Sequence, residues 1–224
     1  VAPPRLEVLP DADAASARGA ELIAAAGRAA VAERGSFALA LSGGRTPWRM
    51  IGLLGDDPEM PWEETQIFQV DERVAPPGSE ERNLTHLIQM LSISHQSAVR
   101  PMPVSGRDLD AAAAEYESQL PERLDYVHLG LGPDGHTASL VPDDPVLEVS
   151  DRRVAVTAGE YQGVRRMTLT YPELARAGAI LWLVTGEKGR EPLAKLLAAD
   201  RSIPAGRVEN EEMVAVADKA AAPS

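Results

Sequence analysis

The sequence predicts an α/β fold with a mostly parallel central sheet covered by helices on both faces, and three observations carry that reading. Short apolar runs alternate with longer stretches whose apolar residues recur every three or four positions, the pattern of strands interleaved with helices. The short runs are apolar throughout rather than alternating with polar residues, as strands buried on both faces are. Several of them stop at glycine-rich or charged turns, and in open α/β sheets ligands bind just beyond the carboxyl ends of strands.

In chain order, Leu22, Ile23, Ala26, Ala30 and Val31 mark an amphipathic helix over 13–34, and Gly35 stands where it would stop. The run 37–41 is a strand that ends at Ser42-Gly43-Gly44, after which Thr46-Pro47 opens a helix to about residue 54. A strand over 66–70 ends in Asp71-Glu72-Arg73 and precedes a helix over 81–91. Leu109, Ala112, Ala113, Tyr116 and Leu120 step at helical spacing before an apolar strand over 126–131, which gives way to Gly132-Pro133-Asp134-Gly135-His136. Further strands are predicted over 154–156, 180–184 and 213–216, with a helix over 192–199. No 20–50-residue repeat or low-complexity linker interrupts the series. The proline-rich stretches 75–78 and 142–145 are expected to be loops of the site.

Composition narrows the function. A chain of 224 residues is expected to form one domain over 1–224, and a hydrophobic fraction of 44% suffices for a sizeable core. The absence of Cys excludes disulfides, thiolate nucleophiles and thiolate zinc sites. With a formal net charge of −12, broad attraction to nucleic acid or anionic membranes is disfavoured, so any anion must be captured locally. No apolar run reaches the roughly 18 residues of a membrane span. Residues 1–10 lack the regions of a secretory signal, which sets a cytoplasmic location as the expectation.

Four strand ends are candidates for the chemistry. Ser42, Gly43, Gly44 and Thr46 can cradle a phosphate with hydroxyls and helix-start N–H groups, although a tight structural turn fits the same residues. Asp71, Glu72 and Arg73 set a guanidinium beside carboxylates, a phosphate grip or a surface ion pair. Of four histidines, only His136 lies in a glycine turn, where it and Asp134 suit acid–base work; a structural hydrogen bond is the alternative. His128 reads as a packed core residue, whereas His86 and His95 read as solvated. Arg165 and Arg166, and then Lys188 after a strand, are basic groups in an acidic chain. No cluster has metal-ligand spacing, so neither a metal nor a cofactor is expected.

These motifs, in order, resemble those of the 6-phosphogluconolactonase family. The resemblance is carried by 41–47, by Asp71-Glu72-Arg73-Val74 with Arg82-Asn83, by 129–140, and by Arg166-Met167-Thr168-Leu169-Thr170, within a region running from about Phe37 to Asp218. It implies a three-layer αβα Rossmann-like sandwich, cytosolic hydrolysis of 6-phospho-D-glucono-1,5-lactone, and no cofactor. It further implies a catalytic group of His136, Asp134 and Arg73, with Ser42, Gly43, Gly44, Thr46, Asp71, Arg166 and Lys188 binding substrate. In the family a lysine commonly follows Thr-Gly after two variable residues. Here that place holds Gly189, so either Lys188 or Arg190 takes the role. The related glucosamine-6-phosphate deaminases typically carry an acidic residue after Asp-Gly-His, whereas 138–142 here has no carboxylate, which favours lactone hydrolysis. A noncatalytic phosphosugar sensor is the third reading.

Overall fold

A computed structural model describes residues 2–223; the first and last positions of the expected 1–224 unit lie outside it. The chain forms ten strands and six α-helices among the described residues: β1 (Arg5–Leu9), α1 (Ala12–Arg34), β2 (Phe37–Leu41), α2 (Arg45–Gly55), β3 (Thr65–Gln69), β4 (Asp71–Arg73), α3 (Asn83–Met90), β5 (Val99–Arg100), α4 (Leu109–Gln119), β6 (Tyr126–Leu129), β7 (Val154–Val156), β8 (Arg166–Leu169), α5 (Tyr171–Ala175), β9 (Ala179–Val184), α6 (Arg190–Leu197) and β10 (Met213–Asp218). Seven strands make one sheet in the order β1-β10-β9-β6-β2-β3-β5, and every pairing in it is parallel. Strands β4, β8 and β7 form a second, antiparallel sheet.

The side-chain period of two sorts each parallel strand between two cores. Leu39, Leu41, Ile67, Leu181, Leu183 and Val216 pack with residues of α1, α2 and α3 on one face. Ala40, Phe68, Val127, Leu129, Ile180 and Trp182 pack on the other with Tyr116 of α4, Leu174 of α5, Leu193 of α6 and the small sheet's Met167 and Leu169. This is the expected three-layer αβα sandwich.

Several elements depart from expectation. β1 and β5 are edge strands that the apolar pattern does not mark, because edge positions face solvent and tolerate polar residues. Residues 71–73, expected as a charged turn, form a strand paired with β8. The strand over 154–156 exists but belongs to the small sheet. His95 is stacked on Trp62 with ring centroids 4.3 Å apart instead of standing free in solvent.

The strand order places a switch point at the centre. From β2 the chain proceeds outward through β3 to β5, then returns to the other side of β2 as β6 and continues to β9 and β10. Connections leaving β2 and β6 therefore diverge, and the crevice between their carboxyl ends is where such sheets bind ligands.

Candidate active site

A cavity of about 490 Å³ occupies that crevice. Ser42, Gly43, Gly44 and Thr46 form its floor at the start of α2, where the Ser42 hydroxyl is buried without a partner among the described residues. Helix α2 has Gly44 as N-cap and no side-chain cap, so its first N–H groups remain available to an anion. Gly43 is required by close approach: a Cβ there would lie 2.1 Å from Asn83 Oδ1. The Thr46 and Thr185 hydroxyls lie 3.2 Å apart.

The small sheet forms another wall. Arg73 and Arg166 are directly opposed in the β4–β8 register, as are Asp71 and Thr168. Directly opposed residues of an antiparallel pair project from the same face, and two like charges there repel each other. The Arg166 side chain is buried, its Nε lacks a partner among the described residues, and its Cζ lies 4.9 Å from the centre of the Tyr161 ring. Burial, opposed by Asp71 and reinforced by Arg73, lowers the Arg166 pKa from its ordinary value. Arg73 donates to Glu81 O at 2.9 Å and to Asn83 Oδ1 at 3.1 Å.

Two buried carboxylates frame this wall. Asp71 accepts from Ser139 Oγ at 2.6 Å and from Asn83 Nδ2 at 3.2 Å. Because Ser139 N also donates to Thr168 Oγ1 at 3.1 Å, the loop after β6 is stitched to the small sheet at this cross-strand pair. Glu72 points to the other face, fully buried, and accepts from the N–H groups of Arg73, Asn83 and Leu84 and from Gln69 Nε2. It thereby caps α3, whose N-cap residue Arg82 supplies no side-chain acceptor.

His136 faces the cavity from the loop after β6. Its Nδ1 lies 2.5 Å from Asp134 Oδ1, and that oxygen also accepts from the His136 backbone N–H at 3.2 Å. Burial acts to raise the Asp134 pKa, but the hydrogen bond and charge of His136, with the Tyr161 hydroxyl, outweigh it and hold the carboxyl below its ordinary value. A carboxylate only accepts, so the proton of the neutral imidazole sits on Nδ1 and Nε2 is left to act as a base. Gly132 makes room for the ring: a Cβ there would lie 2.1 Å from His136 Nδ1.

The cavity thus gathers every expected site residue except Asp134, which supports His136 from behind. Lys188 lines it, while Arg190 is tied to Ala220 O at 2.9 Å outside it, which separates the two candidates for the basic role. Neither proline-rich stretch lines it; Asp144 instead caps the turn at Pro145 by accepting from Val146 N. Sequence reasoning did not assign roles to Asn83, Thr185, Tyr161 and Gln162. Asn83 stood within a motif but was given no role of its own, and a lone Tyr or Thr carries no signal by spacing. Among the described residues no group of three or more His, Asp or Glu could hold a metal ion, and no helix is long and apolar enough to cross a membrane.

The family model for glucosamine-6-phosphate isomerases/6-phosphogluconolactonase matches residues 10–216. A 6-phosphogluconolactonase of Mycobacterium tuberculosis is 34% identical, with 97% of this chain and 96% of that protein covered. One from Nostoc sp. is 33% identical over 86% of this chain and 85% of its own. The crystal structure of 6-phosphogluconolactonase from Thermotoga maritima superposes with a TM-score of 0.85 at 26% identity, covering 96% of this chain and 99% of that one. A monomeric glucosamine-6-phosphate deaminase shares the fold, with a TM-score of 0.83 at 17% identity over 97% of this chain and 98% of that one. With the four motifs in order around one cavity and the match running through most of its length, the chain belongs to the glucosamine-6-phosphate isomerase/6-phosphogluconolactonase family.

Proposed function

We propose that the protein hydrolyses 6-phospho-D-glucono-1,5-lactone to 6-phospho-D-gluconate, the second step of the oxidative pentose phosphate pathway, with His136 as general base. The observation that carries this reading is one cavity faced both by a carboxylate-supported histidine and by two directly opposed arginines. The substrate has the matching polarity, a dianionic phosphate at one end and an activated ester at the other. The dianion relieves the repulsion between Arg73 and Arg166, and the N–H groups at the start of α2 and the Ser42 hydroxyl add donors. Lys188 contributes charge from the rim.

At the lactone end, His136 Nε2 takes a proton from water as the water oxygen bonds to C1, and negative charge develops on the carbonyl oxygen. Nearby N–H and guanidinium donors stabilise that oxyanion. As it collapses, the bond from C1 to the ring oxygen breaks and His136 returns the proton to the ring oxygen. Asp134 holds the imidazole in the required tautomer and stabilises its protonated form. Asp71, already bonded to Ser139 and Asn83, accepts from a sugar hydroxyl with its remaining lone pairs. No covalent intermediate is needed. We place the reaction in the cytoplasm as part of this proposal, the location that the family resemblance implies.

The test is hydrolysis of freshly generated lactone by purified protein, with the spontaneous rate subtracted. Turnover well above that rate is expected, with no ammonia released from glucosamine 6-phosphate. Ammonia release would select deamination, and phosphosugar binding without turnover would select a sensor.

A further inference from the structure

The acid–base pair sits on a loop shaped by glycines, and its two side chains remain partly exposed. A hydrogen bond between two groups of one short loop does not by itself fix their place relative to a clamp on another sheet. Ser139 ties the far end of the loop to the small sheet, and the segment between β7 and β8 ties the pair itself. Thr157 pins the root of the segment, accepting from Arg166 N at 3.0 Å through its hydroxyl. Its tip is a two-residue turn closed by an antiparallel bridge between Tyr161 and Val164, with positive φ at both central residues, Gln162 (55°) and Gly163 (84°).

This turn brings Tyr161 between the two halves of the site. Its hydroxyl donates to Asp134 Oδ2 at 2.8 Å and lies 3.2 Å from His136 Nδ1, and its ring stands edge-on to the imidazole with centroids 5.1 Å apart. On its other side, Arg166 Nη2 donates to Tyr161 O at 3.3 Å and to Gln162 Oε1 at 3.1 Å, with the guanidinium over the ring. Asp134 thus has one oxygen engaged by His136 and the other by Tyr161, so the carboxylate cannot rotate without losing a bond. We propose that Tyr161 is a positioning residue, whose hydroxyl locks the His136–Asp134 pair in its working tautomer and whose ring and carbonyl tie that pair to Arg166. The role in turnover rests on the assignment of His136 as base; the lock itself does not.

The experiment therefore has two readouts. Tyr161→Phe keeps the ring and the turn, and is expected to lower kcat about tenfold with KM near that of wild type, the effect of one lost hydrogen bond to a charged group. Tyr161→Ala also removes the ring beneath Arg166 and is expected to raise KM several-fold besides. Independently of activity, ¹⁵N NMR of histidine-labelled protein, with the His136 signals assigned through His136→Asn, should show a single Nδ1–H tautomer in wild type at high pH. In Tyr161→Phe it should show a mixture of tautomers. Wild-type nitrogen shifts in Tyr161→Phe overturn the lock whether or not the lactone is hydrolysed. A mixed tautomer with unchanged kcat overturns its role in turnover. An altered tautomer in a protein without lactonase activity supports the lock and removes the proposed reaction instead.

Discussion

The two sheets serve the cavity in different ways. The seven-stranded parallel sheet reaches it through loops: the turn at Ser42-Gly43-Gly44 and the loop from Gly132 to His136 extend from the ends of strands whose interior side chains pack mainly into the two cores. The three-stranded antiparallel sheet reaches it through side chains, with Asp71, Arg73 and Arg166 projecting directly from β4 and β8. A parallel sheet covered on both faces has no free face, so its chemistry must sit on loops at its strand ends; an antiparallel ladder with one open face can place charges at fixed register. The base is accordingly on a loop and the clamp on a ladder.

This division predicts different kinetic signatures. His136→Ala, a lesion at an end of the large sheet, should lower kcat by roughly 10²–10⁴-fold with little change in KM, since it removes proton transfer and leaves the anion contacts intact. Arg166→Ala, a lesion in the small sheet, should raise KM by about 10–100-fold, the effect of losing charge-assisted hydrogen bonds to the phosphate. Steady-state kinetics on fresh lactone separates the two. Were Arg166→Ala to lower kcat at unchanged KM, the clamp would be acting on the reacting carbonyl and the division would fail.

A smaller lesion probes the join between the regions. Gly43→Ala puts a methyl into Asn83, which holds Arg73 through Oδ1 and Asp71 through Nδ2. The change is on the large sheet but its damage falls on the small one, so a loss of about tenfold in kcat/KM is expected. In an Arg73→Ala background the same methyl should cost clearly less, because part of what it displaces is already gone. Fully additive losses would mean that Asn83 does not transmit the effect.

The same contrast explains what the sequence made legible. β2, β6, β9 and β10 are buried on both faces, and that burial enforces the continuous apolar runs that announced them. β4 reads Asp-Glu-Arg and β8 reads Arg-Met-Thr-Leu; strands this short that turn polar residues to a cavity carry no such signal, and their residues came into view as a charged strand end and as basic groups in an acidic chain, not as strands. The position of Lys188 relative to Arg190 depended on where the chain turns after β9, which spacing alone left open. Tyr161 was invisible for two reasons. Its turn uses Gln-Gly in place of the Asn-Gly or Asp-Gly that marks positive φ, and its partner Asp134 lies 27 residues away. The proline-rich stretches were read correctly as loops but assigned to the site, since proline marks a break in regular structure and not the end of the sheet on which the break falls.

The least consequential change for turnover tests whether the large sheet's interior is separate from the chemistry at its ends. His128 lies in the middle of β6, in register between Leu41 and Leu181, fully buried with neither ring nitrogen hydrogen-bonded among the described residues. An imidazole there is both an unsatisfied polar group and a group that cannot be charged, and burial pushes its pKa down to about 3 from 6.5. Between those values the unfolded chain binds a proton that the folded chain refuses, so this group makes the protein less stable as pH falls from about 6.5 to about 3 and adds no further slope below that. His128→Leu matches the apolar neighbours on either side. It should raise stability by about 1–2 kcal/mol near neutral pH, by removing the unsatisfied nitrogens. The advantage over wild type should widen through the acid range, while kcat and KM stay at wild-type values because the backbone bond from Ser42 N to His128 O is retained. Denaturant titrations at pH 7 and pH 5 read the effect directly. A gap between the two proteins that is the same at both pH values would show that the folded protein takes up the proton at His128 as readily as the unfolded chain does.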